Sequence, residues 1–528
     1  MQRVASQTGL TNVLPCLSRT RQAARLPEPN GCVWSGPSPR ARRLRHVIGP
    51  AGCLLALILT TRPLHAGPAD ARPSSAALPR VRIAADGHGF VTGRNTPFVP
   101  MGVSYFRAGT GWAPQVWKQF DAAATRRDFA RLKALGANCV RVFLSYGSFY
   151  TEPGVLSPDG LAKFDQFLDL AAAAGLYVQP TGPDHWEGTP EWARADRYAD
   201  ESMLRAQDDF WKLLTARYRD RTALFAYELL NEPEIRWTSP PMQAKWDAWV
   251  QHRYGSLDGA FEAWQIPKPA ALPARAPVPD RNAPPGRQLL DYQRFREDLA
   301  DAWTRRQVKA IKSVAPNALV TVGLIQWSVP VALAGPFHYS AFRPARQANF
   351  LDFLEVHFYP LAHGFYEYGG EEDQARNLAY LEAVVSQVAR CGKPTVLAEF
   401  GWYGGGKLTL DGGRHPEATE AQQARWCRRA VETTEGLACG WLNWGLYDCP
   451  EAGDVSQLIG LLKPDGTVKD WGRVFAQLAA RFRRHPPRPR RLGPRPVLDW
   501  DRAITDRQAM REFQEQYYRA YRTDADRP

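Results

Sequence analysis

Two glutamates sit where they could do acid–base or nucleophilic work. Glu232 lies in Asn231-Glu232-Pro233 at the end of one apolar run, and Glu399 lies in Glu399-Phe400-Gly401 at the end of another. They are 167 positions apart, so only a fold that gathers distant strand ends at one rim can make them partners. Two carboxyls facing each other across a substrate are what glycoside hydrolysis requires. One protonates the departing oxygen, and the other attacks or assists at the anomeric carbon. A gap of roughly 5–5.5 Å goes with retention of configuration and roughly 6.5–9.5 Å with inversion; a sequence does not carry that distance. Rival chemistries lack their signatures. The 10 histidines are scattered with no HExxH, so no metal is expected, and no GxSxG marks a serine nucleophile. No GxGxxG or GxxxxGK opens a helix, and no cofactor is expected.

From about residue 80 to 483, short apolar runs alternate with amphipathic stretches. Strands are expected at 98–105, 139–144, 176–182, 224–232, 318–324, 353–359, 395–401 and 440–446. Helices are expected at 127–135, 161–174, 203–218, 295–312, 372–390, 418–434 and 469–482. Eight such units imply an α/β fold with a parallel sheet closed into a (β/α)8 TIM barrel, whose function sits at the C-terminal ends of the strands. A doubly wound open sheet is the alternative, and the missing glycine-rich motifs count against it. In the barrel Glu232 ends the fourth strand and Glu399 the seventh, across the mouth from each other. Glu228 and Glu355 precede the rim on the same strand faces and read as polar residues of the barrel interior. An insertion at 235–288 carries Trp237, Trp246, Trp249 and Trp264 and closes with seven prolines in 266–286. It reads as a helical cap over the mouth. Trp402 and Trp327 follow strand ends and could stack on a sugar or pack in the core.

The chain has 528 residues, 44% hydrophobic and 23% charged, which is globular and rules out wholesale disorder. Its net charge of +13 is unevenly placed. Residues 1–46 carry +7 and residues 481–496 another +7, which leaves −1 on everything else. Basic charge confined to Pro-rich flanks does not make a nucleic-acid face, so no nucleic-acid partner is expected. Arg40, Arg42, Arg43 and Arg45 precede an apolar stretch at 47–59 and small residues near Ala66 and Ala69. Residues 1–70 therefore read as an export signal with an upstream tail, implying a periplasmic or extracellular protein. An uncleaved signal is the only membrane anchor expected. The five cysteines beyond the signal are Cys139, Cys391, Cys427, Cys439 and Cys449, an odd number that leaves at least one thiol unpaired in a monomer. Residues 484–528 read as an Arg/Pro linker and one more helix, with Phe513, Tyr517, Tyr518 and Tyr521 on roughly one face.

Five motifs in order, each at a strand end, resemble the clan A glycoside hydrolases, most closely family 5, the cellulase and β-mannanase family, over about residues 80–483. They are Arg141 within Val140-Arg141-Val142, Asn231-Glu232-Pro233, His357-Phe358-Tyr359, Glu399-Phe400-Gly401, and Trp444. The resemblance implies Glu232 as acid/base and Glu399 as nucleophile of a retaining double displacement. It further implies that Asn231 binds the sugar 2-hydroxyl, that Tyr359 and Arg141 hold and ionise Glu399, that His357 touches substrate or the acid/base, and that Trp444 forms a sugar platform. His185, Trp186 and Trp402 are subsite candidates. Phe225 and Glu234 depart from the family's usual pattern, and the stretch 249–264 is similar to family 42 β-galactosidases. The implied partner is a β-linked poly- or oligosaccharide. Endo-action on β-1,4-mannan or β-1,4-glucan leads; an exo-acting β-galactosidase or β-mannosidase, a transglycosylase and a non-catalytic carbohydrate-binding barrel are the alternatives.

Overall fold

The computed structural model describes residues 77–110, 115–331, 338–360, 370–409 and 415–525, so the export signal expected within 1–70 lies outside the described residues. Three short antiparallel strands come first: β1 (Val81–Ile83), β2 (Phe90–Thr92) and β3 (Thr96–Phe98). Eight parallel strands follow and close on themselves: β4 (Met101–Ser104), β5 (Cys139–Ser145), β6 (Tyr177–Asp184), β7 (Tyr227–Asn231), β8 (Val320–Leu324), β9 (Leu354–Phe358), β10 (Thr395–Phe400) and β11 (Gly440–Trp444). Each barrel strand pairs with its sequence neighbour and β11 returns to β4, the (β/α)8 order expected from the alternation. Helices start where the sequence supplies a cap. Asp121, Ser157, Asp200 and Thr419 each accept hydrogen bonds from backbone N–H groups of the first turn, and Thr419 forms a full capping box with Gln422.

Period-two alternation sorts the strand residues. Val140, Val142, Val178, Leu229, Val320, Val322, Val356 and Leu397 point outward into the main core beneath the helices. The inward set begins with Cys139, Tyr177, Ala226, Phe353, Val396 and Leu442, which meet Val81, Phe90 and Phe98 of the small sheet. That sheet, which the periodicity did not announce, is packed on the N-terminal ends of the strands. It also explains Phe225, whose ring packs edge-on to Phe90 at 5.1 Å and stacked on Phe353 at 5.4 Å. The departure at Phe225 therefore serves the bottom of the barrel and lies away from the rim. Above this apolar layer the interior turns polar, with Arg141, Gln179, Glu228, Glu355 and His357 all buried.

The insertion forms helices Pro240–Tyr254 and Leu257–Trp264. Its tryptophans build its own core: Trp246 stacks on Trp264 at 5.9 Å and on Trp249 at 5.2 Å, and meets Tyr292 and Phe295 of helix Arg287–Lys312. The proline-rich return supplies carbonyl acceptors, Pro279 to Trp237 and Pro277 to Trp246. At the C-terminus, the single helix expected is two, Trp500–Ala503 and Arg507–Ala525. The long one buries Phe513, Tyr517 and Tyr518, and Arg376 of helix Glu371–Ala389 pairs with Glu515 at 2.7 Å. Cys139, Cys391, Cys427, Cys439 and Cys449 form no disulfide among the described residues. Among the described residues no helix is long and apolar enough to cross a membrane.

Candidate active site

Both glutamates stand at the C-terminal rim, Glu232 just after β7 and Glu399 near the end of β10. A carboxylate oxygen of Glu232, one of Glu399 and a ring nitrogen of His357 all lie within 4.8 Å of one another. Glu232 sits immediately after β7 with φ of 45°, a left-handed backbone rare for a residue with a side chain, and its N–H donates to the Gly323 carbonyl at 2.9 Å. That turn ends the strand at the carboxyl-bearing residue.

The two carboxyls have unlike surroundings. Glu399 has an oxygen for each of two donors: Arg141 Nη1 to Oε2 at 2.9 Å and the Tyr359 hydroxyl to Oε1 at 2.7 Å. His357 Nδ1 lies 3.5 Å from the same Oε2. Glu232 has neither guanidinium nor phenol; its Oε1 faces His357 Nδ1 at 3.1 Å. The electrostatics follow. Burial, reinforced by the negative charges of Glu228 and Asp184, pushes the Glu232 carboxyl up to about 7 against the pull of Arg141. Burial raises Glu399 as well, but the Arg141 charge and the Tyr359 hydroxyl oppose it. Burial pushes His357 down to about 4, so at neutral pH the imidazole is uncharged and contributes dipoles only. Glu232 is thus the carboxyl that keeps a proton near neutrality, and Glu399 is the one set up to carry charge.

Arg141 is held from several sides. It accepts no hydrogen bonds and donates to Glu228, Glu399, Ser104 Oγ at 3.3 Å and Asn231 Oδ1 at 2.6 Å. Fixing the Asn231 carbonyl oxygen turns its NH2 group away from the guanidinium, as a donor for a ligand hydroxyl. Tyr359 is clipped by the Gln326 amide, which accepts from the Tyr359 N–H at 2.7 Å and donates to its carbonyl at 3.1 Å. Neither Gln326 nor the Glu228 anchor is singled out for the site by sequence: Glu228 shows only as a polar residue inside a barrel strand, and Gln326, in the short turn after β8, carries no such signal. Gly323 is required by space, because a Cβ there would stand 2.3 Å from Glu228 Oε1 and 2.9 Å from His357 Nε2.

The aromatic candidates fall into two groups. Trp444 ends β11, with its ring 5.3 Å from Phe106 and 5.8 Å from Phe143 and its indole N–H on Ser456 Oγ at 2.8 Å. Trp186 joins the same cluster, edge-on to Phe143 at 6.4 Å, and the half-exposed His185 ring lies 4.3 Å from Trp186 with Nδ1 on Asp184. Tyr359 also borders this cluster. Trp402 belongs to the main core, buried against Tyr403 and His415. Glu234 carries a carboxyl raised by burial, opposed by Arg296 and Arg281 of the insertion side, and Trp327 packs partly buried on the main core.

Distance alone would let Glu232, His357 and Glu399 ligate one metal ion. Both Glu399 oxygens, however, are already engaged by hydrogen-bond donors, one of them a permanent cation that disfavours a second positive charge. The arrangement suits a neutral acid facing a held carboxylate.

Known proteins bear on this geometry. The family model for Cellulase (glycosyl hydrolase family 5) matches residues 91–449. A β-galactosidase from Thermus thermophilus is 27% identical over 251 residues, covering 42% of this chain and 37% of that one. A β-xylosidase from Phanerodontia chrysosporium is 29% identical over 142 residues, 25% of this chain and 29% of that one. The chain therefore spans about a third of the length of these curated relatives. In fold it is similar to an exo-β-1,4-mannosidase from Opitutaceae bacterium strain TAV5, with TM-score 0.54 and 18% identity over 76% of this chain and 62% of that one. It is also similar to a GH5_18 protein from Streptomyces cattleya in complex with GlcNAc, with TM-score 0.53 and 19% identity over 80% of this chain and 96% of that one.

Proposed function

Since the chain belongs to glycosyl hydrolase family 5 and is a glycoside hydrolase, we propose that it cleaves β-linked poly- or oligosaccharides with retention, using Glu399 as nucleophile and Glu232 as acid/base. The observation that carries this reading is the asymmetry of the pair: two donors on Glu399, none of them on Glu232. In the first step the Glu399 carboxylate attacks the anomeric carbon while Glu232 gives its proton to the leaving oxygen, forming a glycosyl ester. Esterification removes the charge on Glu399. Glu232 then holds its proton less tightly and takes one from the water that cleaves the ester. Asn231 Nδ2 is the donor for the sugar 2-hydroxyl, and Trp186 and Trp444, backed by the buried Phe106 and Phe143, form the apolar wall against which a sugar face packs.

For the substrate we favour β-1,4-mannan or β-1,4-glucan, attacked internally. A protein named as a probable mannan endo-1,4-β-mannosidase from Aspergillus terreus, 28% identical over 110 residues, 19% of this chain and 28% of that one, supports the endo reading. The β-galactosidase relatives favour a second reading, exo-action on a terminal β-galactoside or β-mannoside. The site is proposed to work outside the cytoplasm after export through the 1–70 segment, which cell fractionation tests. The decisive experiment is reducing-sugar release from mannan, glucan, galactan and xylan, with aryl β-mannoside and β-galactoside alongside and Glu232→Gln as blank. Glu399→Gly should lose turnover and regain it on aryl glycoside when azide is added. Release equal to the blank, or no azide rescue, overturns the assignment.

A further inference from the structure

Beneath the rim carboxyls lies a second pair of glutamates that the reaction as written does not use. Glu228 and Glu355 are both fully buried in the barrel interior. Glu228 stands behind Arg141: Nε donates to Oε2 at 2.6 Å and Nη2 to Oε1 at 2.7 Å, a two-point fork that fixes the guanidinium plane. The same guanidinium reaches forward to Glu399 and Asn231. Its direction toward the nucleophile is therefore set by the group at its back. Glu228 is itself pinned by Thr181 Oγ1 at 2.6 Å and Gln179 Nε2 at 3.0 Å, and Gly323 leaves it room. Four donor hydrogens converging on one carboxylate make a cradle for a charged group.

Glu355 is treated in the opposite way. It receives one donor, Gln179 Nε2 at 2.8 Å, and its Oε2 has no partner. Burial and the neighbouring Glu228 charge keep the Glu355 carboxyl protonated, whereas the Arg141 fork outweighs burial and keeps Glu228 ionised. Around Glu228, then, the charged neighbour is Arg141 of β5, with Glu399 of β10 beyond it. His357 of β9 and Glu232 after β7 are titratable but largely uncharged near pH 6, burial and the Glu228 charge favour the protonated form of Glu355, and Gln179, Thr181 and Asn231 do not titrate.

We propose that Glu228 is a positioning residue of the active site: it holds Arg141 against Glu399 and Asn231 and sets how much positive charge the two rim carboxyls feel. The inference rests on the roles given above to Glu232 and Glu399. In Glu228→Gln the guanidinium faces forward with its charge unbalanced, and Glu232 loses a negative neighbour. Both changes weaken the hold of Glu232 on its proton.

The test titrates the full chain by NMR with carbon-13 at the glutamate carboxyls, the Glu232 signal being identified by its loss in Glu232→Gln. The pH profile of kcat/KM is measured in parallel. In Glu228→Gln the Glu232 midpoint should fall by about one pH unit, with the alkaline limb of the profile following it. Glu228→Asp keeps the charge and shortens the arm, so the midpoint should stay near its wild-type position while kcat drops about tenfold or more at little-changed KM. Glu355→Gln exchanges neutral for neutral and should leave the midpoint in place. An unmoved midpoint in Glu228→Gln overturns the proposal. So does wild-type kcat in Glu228→Asp, which decides the matter if circular dichroism shows that the Gln variant does not fold. A shifted midpoint in a chain that hydrolyses no β-glycoside would instead leave the positioning role standing and sink the reading of the reaction.

Discussion

Tyr359→Phe separates the two halves of the reaction. The substitution removes one O–H that donates to Glu399 Oε1 at 2.7 Å and nothing else of the ring. The backbone of residue 359 stays clipped to the Gln326 amide, so the phenyl ring should remain where the phenol was. Arg141 still serves Oε2 at 2.9 Å, so the carboxylate keeps one of its two donors. A hydrogen bond to a charged group contributes about 1.5–3 kcal/mol, which is about 10- to 150-fold in a rate or binding constant. The lost interaction acts with opposite sign in the two steps. During attack the carboxylate gives up charge, so losing a donor makes it more basic and costs little. During ester hydrolysis the carboxylate is the leaving group and needs the donor, so this step should slow by the full factor. With a dinitrophenyl β-glycoside, stopped-flow kinetics should show a burst followed by a slow steady state, and intact-mass spectrometry should find glycosyl-enzyme accumulating. The acid limb of kcat/KM should move up by about one unit, because Glu399 now holds a proton more tightly. Equal losses in kcat and kcat/KM with no burst and an unmoved acid limb would refute the reasoning.

The pH dependence has a definite sign. With Glu232 pushed up to about 7, kcat/KM should fall as pH rises through that value, and a limb that lies instead in the ordinary carboxylate range would contradict the acid assignment. The same carboxyl binds its proton more tightly folded than unfolded, so it costs stability progressively between its ordinary 4.5 and about 7. Glu232→Gln should therefore gain Tm over the wild type across that window and hold the gain above it; a gap that narrows with rising pH is the contrary result. Lys469 and Asp448 form a buried pair at 2.8 Å, and Lys469 also donates to the Gly404 and Leu458 carbonyls, tying the loops after β10 and β11 together. Lys469→Met should cost about 3–5 kcal/mol in urea unfolding at pH 8, and less at pH 5 because Asp448 is already pushed up to about 6 and can neutralise. A loss under about 1 kcal/mol at both pH values would show the pair to be dispensable.

Sequence by itself determined the features that repeat locally. Eight apolar runs alternating with amphipathic ones fixed a β/α barrel, and that topology sends Asn231-Glu232 and Glu399 to one rim whatever lies between them. Arg141 and Tyr359 were legible through the family resemblance, each standing in a motif at or next to a strand end. What only tertiary structure decided is every contact whose partner is distant and carries no local signal. The three short strands before the barrel have no helical period and too few residues to alternate, and their reason to exist is the ring cluster of Phe90, Phe98, Phe225 and Phe353 they complete. The insertion reads from sequence as a helical cap rich in tryptophan, but exposed and core aromatics look alike in a sequence; the stack of Trp246 on Trp264 and Trp249 assigns them to packing. The division of labour between Glu232 and Glu399 came from the family resemblance, and its physical cause lies in contacts that no local pattern carries. Glu232 and Glu399 differ through a guanidinium and a phenol delivered by β5 and by the residue after β9, and Glu228 and Glu355 through which of them Arg141 reaches. Proton affinity belongs to the surroundings of a carboxyl, and folding alone assembles them.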